Sequence, residues 1–246
     1  MTELLELNQV SGGYNIHKPV LHELNFHVRS GEMVGLIGLN GAGKSTTIKH
    51  ILGLMEPTNG DIRIHGVQCR DEPEAYRRTF TYIPETPILY EELTLWEHLR
   101  LTAAAYGVDN NLFEERAARL LKEYRMEKMK HWFPSHFSKG MRQKVMIMCA
   151  FLVQPSLYVV DEPFVGLDPV AIKSLLDMME EKKQEGAGIM MSTHILATAE
   201  RYCDRFILLH EGRIRHQGTL AELREQTGMP EADLDDLYIE VTKGEV

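Results

Sequence analysis

One stretch constrains this chain more than any other. Gly38-Leu39-Asn40-Gly41-Ala42-Gly43-Lys44-Ser45-Thr46 follows the apolar run Met33–Ile37 and precedes Thr47–Leu54, whose pattern predicts a helix. A loop of this kind joins a buried strand to a helix N-terminus. Its glycines let backbone N–H groups turn inward around an anion, and the helix adds unpaired donors and the positive end of its dipole. The run from Gly38 through Thr46 therefore reads as a phosphate cradle, with Asn40, Gly41, Ala42 and Gly43 at its turn. Lys44 reaches the β- and γ-phosphates of a nucleotide, and Ser45 offers its hydroxyl to Mg²⁺. An ordinary turn that happened to hold three glycines would leave the adjacent Lys-Ser-Thr without a purpose.

Composition narrows the partners. At 246 residues the chain can bury the core of one elaborated domain with a subdomain. Acidic residues outnumber basic ones, 36 to 27, for a net charge of -9, so a broad basic face is not expected and nucleic acid is not an expected partner. Cys69, Cys149 and Cys203 are scattered and lack metal-ligand spacing, which reads as reduced thiols in a cytoplasmic protein. The longest apolar run, Val145–Val153, is far short of the roughly 18 to 20 residues of a membrane helix. Met1-Thr2-Glu3-Leu4-Leu5-Glu6 lacks a basic region and an apolar signal core. Contact with a membrane is therefore expected to go through a partner.

Two early segments, Leu4–Val10 and Val20–Val28, alternate apolar and polar residues and predict a small antiparallel sheet, with Leu21, Leu24, Phe26 and Val28 pointing inward. Tyr14 lies in the turn between them, where it could stack on an adenine ring or simply close the sheet edge. A short strand is expected at Asp61–His65 and another at Thr79–Ile83. Thr94–Tyr106 and Asn111–Met129 then read as amphipathic helices, the first capped by Thr94, so a helical subdomain of about residues 86–153 is inserted in the α/β chain. Later strands at Leu157–Val160, Ile189–Met191 and Phe206–Leu209 alternate with helices at Val170–Lys183 and Ala197–Tyr202. Glu211-Gly212 turns the last strand into a hairpin with Arg213–His216. The tail, 218–246, is helix-forming and acidic, and Asp233, Asp235 and Asp236 predict a solvated face.

Asp161 and Glu162 follow the apolar strand directly, so both carboxylates emerge at its C-terminal end, where open α/β sheets place ligands. Asp161 is positioned to hold Mg²⁺. Glu162, one residue on and aimed differently, is the candidate general base or water-positioning group.

Taken in order, Tyr14, the glycine-rich loop, Glu85 after Tyr82-Ile83-Pro84, Phe137-Ser138-Lys139-Gly140-Met141-Arg142-Gln143, Asp161-Glu162, Gly166-Leu167-Asp168 and His194 resemble an ATP-binding-cassette (ABC) ATPase over nearly the whole chain. The resemblance implies an α/β fold of the P-loop NTPase kind: a RecA-like core sheet, an antiparallel β subdomain and an inserted α-helical subdomain, all in one domain, 1–246. It further implies a head-to-tail dimer with ATP at the interface. There Ser138, Lys139, Gly140 and Met141 of one copy meet the γ-phosphate held by the other, and Asp168 meets its counterpart. His194 would sense that phosphate, and Glu85 would face Mg²⁺ and couple the site to a permease. Two positions depart from the family pattern. Lys139 stands where the first signature glycine is usual, raising the cost of a left-handed backbone there. Glu85 stands where glutamine is usual, and a carboxylate cannot donate a hydrogen bond.

Tyr82–Pro87, Leu89–Thr94, Phe137–Met141 and Met191–Leu196 are most similar to the ATPase subunit of Ecs-type transporters of Gram-positive bacteria. That likeness implies an integral membrane permease as partner, ATP and Mg²⁺ as cofactors, the cytoplasmic face of the cell membrane as location, and a link to protein secretion or membrane peptide handling. The segment Glu85–Trp96 is the expected docking point for the permease, with Trp96 otherwise a core residue of the helical part. The competing function is a soluble ABC ATPase acting on nucleic acid or ribosomes, against which the acidic balance weighs.

Overall fold

The computed structural model describes residues 3–15 and 17–243. Met1 and Thr2 of the N-terminal run, and residues 244–246 of the tail, lie outside the described residues. Two sheets organise the chain. The first joins β1 (Glu3–Gly12), β2 (Leu21–Arg29) and β4 (Asn59–Ile64) as an antiparallel sheet in the order β2-β1-β4. Leu21, Leu24, Phe26 and Val28 are all buried, as the alternation predicts.

The second sheet comprises β3 (Met33–Ile37), β5 (Phe80–Ile83), β6 (Leu157–Asp161), β7 (Gly188–Thr193), β8 (Arg205–His210) and β9 (Arg213–Gly218), in the order β5-β6-β7-β3-β8-β9. All neighbours are parallel except the β8–β9 hairpin. The interior strands are continuous apolar runs because both faces are covered. Met33, Tyr158, Val160, Met191, Phe206 and Leu208 face one apolar cluster, built largely with helices. Val34, Leu36, Val159, Met190, Ile207 and Leu209 face a second, shared with the antiparallel sheet and α1 (Lys44–Ile51).

The helices follow the strands. A short α2 (Pro73–Arg78), not anticipated from the sequence, precedes β5 and buries Tyr76, whose hydroxyl donates to Ile51 O at 2.7 Å. Next come α3 (Leu95–Tyr106), α4 (Asn110–Glu123) and α5 (Lys139–Val153), which pack on one another. Thr94 forms a capping box with Glu97 at the start of α3. The expected helix Asn111–Met129 is divided: Arg125 turns left-handed at φ 55°, and a short 3₁₀ turn at Glu127–Met129 follows. Trp96 belongs to this helical packing, 4.8 Å from the Phe113 ring with the Lys130 ammonium 3.3 Å from its centroid.

Beyond β6 come α6 (Pro169–Gln184), α7 (Leu196–Tyr202), α8 (Leu220–Thr227) and α9 (Leu234–Lys243). Asp233, Asp235 and Asp236 are exposed, but the opposite side of α9 buries Leu234, Leu237 and Tyr238 against the core. The three cysteines are free, and burial pushes the thiols of Cys149 and Cys203 up to about 11 and about 12.

Candidate active site

The parallel strands β3, β6 and β7 end on one edge of the sheet, and their C-terminal ends bring Lys44, Asp161, Glu162 and His194 together. The loop after β3 turns through Gly41 at φ 87° and Gly43 at φ 112°, conformations that L side chains rarely adopt. Gly38 is seated equally tightly: a Cβ there would meet Leu209 O at 2.7 Å and the Ala42 Cβ at 2.8 Å. The helix that follows, α1, has no side-chain cap and no acid in its first turn. Its leading N–H groups are thus left for an anion, the arrangement that phosphate binding needs.

Lys44 is buried, and its ammonium donates to Gly38 O at 2.6 Å while lying 3.5 Å from Glu162 Oε1. The other Glu162 oxygen accepts from His194, with Nδ1 to Oε2 at 2.8 Å. One carboxylate therefore links the glycine-rich loop to the end of β7. Glu162 holds this place on a left-handed backbone, φ 44°, with its own N–H donated to Ser192 O at 3.1 Å.

Asp161 points the other way, toward Ser192 Oγ at 2.5 Å and the Tyr82 hydroxyl at 3.3 Å, both of which donate to it. Burial, reinforced by the Asp161 carboxylate and by the Glu85 charge, pushes the Tyr82 phenol well above its ordinary range. Glu85 itself is exposed just after β5. The exposed Ser45 hydroxyl and the buried Asp161 carboxylate are hard oxygen donors, the chemistry that suits a hard dication such as Mg²⁺.

Tyr14 is exposed and sits over α1. The Lys49 ammonium donates to its hydroxyl at 3.1 Å and lies 4.9 Å from its ring, and this bond chiefly lowers the phenol's pKa. Ser138 caps α5, accepting from Met141 N–H at 3.2 Å, and is exposed. Lys139 opens α5 and is absent from the left-handed residues, so the cost expected of a lysine there does not arise. Gly140 packs on the run before Asp168: a Cβ there would meet Gly166 O at 2.3 Å. Asp168 caps α6 and pairs with Lys144 at 2.8 Å, which holds its carboxyl below the usual range. Sequence reasoning missed three supports: Ser192 and Tyr82 on Asp161, and Gln143, whose side-chain amide donates to Pro84 O at 2.9 Å. Ser192 had the clearest signal, standing two residues before His194.

A parallel sheet in which β3 feeds such a loop and β6, one strand beyond its neighbour β7, leads into two carboxylates is the core of a P-loop nucleoside triphosphatase. The chain belongs to the ABC transporter family: the family model of that description matches residues 21–165. It is 62% identical over 240 residues to the ABC-type transporter ATP-binding protein EcsA of Bacillus subtilis (strain 168), covering 98% of this chain and 97% of that one. The SkfA peptide export ATP-binding protein SkfE of the same organism is 33% identical, covering 91% and 92%. A solved structure described as the ATP-binding subunit of an ABC transporter superposes with a TM-score of 0.96 at 61% identity, covering 98% of this chain and 100% of that one. The chain is thus an ABC transporter ATP-binding subunit and an ATPase, of a kind that works with membrane permeases. Among the described residues, no helix is long and apolar enough to cross a membrane.

Proposed function

We propose that this subunit acts as one domain at the cytoplasmic face of the membrane, powering a separate permease through closure and reopening of a dimer around two ATP molecules. The observation that carries the reading is the link from buried Lys44 through buried Glu162 to the exposed His194 beside an uncapped helix N-terminus. In it, Lys44 has two acceptors, Gly38 O and Glu162. Phosphate oxygens compete for that ammonium. Once Lys44 turns to them, Glu162 Oε1 is released to take a proton from an attacking water, and His194 keeps the carboxylate oriented through Oε2. Gly38, Asn40, Gly41, Ala42, Gly43, Ser45 and Thr46 bind the phosphates, and Tyr14 stacks on the adenine. Ser45, Asp161 and Glu85 would hold Mg²⁺, which supplies neutralising charge at the phosphates when bound.

The helical part, about 86–153, carries Ser138, Lys139, Gly140 and Met141 to the partner copy's ATP, with Asp168 at the contact between copies. Exposed Ile88 and Tyr90 in the segment Glu85–Trp96 offer apolar surface to the permease. A peptide or exported protein is the favoured cargo class, in keeping with the relative described as serving peptide export.

The test is a pair of variants assayed for binding and hydrolysis. Glu162→Gln is expected to bind ATP while its turnover falls by at least about a hundredfold. Lys44→Ala is expected to lose ATP affinity. Unchanged hydrolysis in Glu162→Gln would remove Glu162 from the reaction. Purification of the tagged chain from native membranes should bring down a multi-span protein in stoichiometric amount, and recovery with ribosomes or nucleic acid instead would favour the soluble alternative.

A further inference from the structure

The C-terminal helix reaches the phosphate loop. The Leu39 N–H donates to the Tyr238 hydroxyl at 2.7 Å, and that hydroxyl faces Leu209 O, on β8, at 3.4 Å. Leu39 N and Gly38 O belong to one planar peptide unit, and Gly38 O is the acceptor for the Lys44 ammonium at 2.6 Å. The two ends of this peptide are therefore gripped from opposite directions, by Tyr238 and by Lys44. The grip matters because glycine at position 38 leaves the peptide rotationally permissive, and the neighbouring Gly41 and Gly43 make the whole loop pliable. A hydrogen bond to the Leu39 N–H opposes rotation of that peptide.

Tyr238 is well placed to provide it. Its side chain is 5% exposed, and the flanking Leu234 and Leu237 are fully buried. The Leu234 N–H donates to Glu200 Oε2 on α7 at 2.7 Å, so α9 is fastened to the helix that follows His194. The hydroxyl thus comes from an element held to the core independently of the loop.

We propose that Tyr238 is a positioning residue for ATP binding: its hydroxyl fixes the Gly38–Leu39 peptide and, through that peptide's carbonyl, the position from which Lys44 meets the phosphates. This rests on the reading of Lys44 as a phosphate ligand. Tyr238→Phe removes the hydroxyl and keeps the buried ring. Thr242→Val is the control for α9, because among the described residues the Thr242 hydroxyl bonds within its own helix, to Tyr238 O at 3.1 Å and Ile239 O at 3.0 Å.

Affinity for a fluorescent ATP analogue, kcat at saturating ATP, and amide exchange over residues 38–42 would be measured for the full chain. Tyr238→Phe is expected to weaken binding about three- to tenfold, the span of one hydrogen bond. Its kcat should stay within about twofold and exchange over 38–42 should quicken, with Thr242→Val altering neither. Binding within about twofold of wild type, unchanged exchange, or the same loss in Thr242→Val would each overturn the proposal, whatever happens to the melting temperature. Lys44→Ala separates the two readings. If it binds as tightly as wild type, the phosphate role of Lys44 has failed; if it binds poorly while Tyr238→Phe binds normally, only the role of Tyr238 has failed.

Discussion

His50 shows how strongly a single buried side chain can be constrained in the last turn of α1. It lies on α1, 2% exposed, with Nδ1 2.9 Å from Met55 O. Among the described residues its buried Nε2 has no hydrogen-bond partner, so a second N–H there would be left without an acceptor. Burial consequently lowers the His50 pKa from its ordinary 6.5, with the bond to Met55 opposing only in part. The folded protein binds fewer protons at this ring than the unfolded chain does. The neutral ring's contribution is therefore intact above about pH 6.5 and is lost progressively as pH falls toward the lowered folded value. Urea unfolding at a series of pH values should show His50→Leu with a shallower acid-side loss than wild type, by up to about 1.4 kcal/mol per pH unit. At this scale the sequence pointed to residues that stand in runs, Gly38–Thr46 and Asp161-Glu162, and to His194 through its place in the family order. Tyr82 and Tyr238 were hidden because nothing adjacent in the chain marks a phenol that acts across a fold.

The helices α3 and α4 were readable because their signals are local. Thr94 and Glu97 stand at capping-box spacing, and both bonds form, with the Thr94 N–H donated to Glu97 Oε2 at 2.7 Å. Thr94→Ala should lower unfolding free energy by about 1 kcal/mol in denaturant titration while leaving ATP affinity unchanged, since the cap serves only α3. Elements that depend on one atypical residue were less legible. Arg125 ends α4 early by adopting a left-handed backbone that no glycine advertises, and α2 has too few residues for periodicity to register. The tail's acidic surface is apparent in its composition. That α9 would turn its apolar side onto the core depends on the rest of the molecule offering a place for it.

Across the whole molecule, contacts tie the parts proposed to act between copies into one unit. Gly140 rests on Gly166, and Lys144 pairs with Asp168, so the start of α5 and the start of α6 are braced together. Each copy carries a net charge of -9, and ATP adds more negative charge. Two such copies repel at long range, and salt screens that repulsion over a Debye length of about 8 Å at physiological ionic strength. Sedimentation of Glu162→Gln with ATP should accordingly show a dimer whose fraction rises between low and physiological salt, and a monomer with ADP. A dimer fraction that falls with salt would point to an interface dominated by attractive charge pairs instead.

Strand order carries a further consequence, for the making of the protein. β3 is synthesised early, yet its two neighbours in the sheet are β7 and β8, both from the last third of the chain. During vectorial synthesis β3 and its phosphate loop leave the ribosome with no lateral partner and wait, on the order of ten seconds at ordinary elongation rates, for the strands that flank it. The antiparallel trio β2-β1-β4 is complete long before that. A nascent chain arrested after β6 should therefore hold a protease-resistant N-terminal sheet beside an unclosed, aggregation-prone edge, and ATP could first be gripped only at the end of translation.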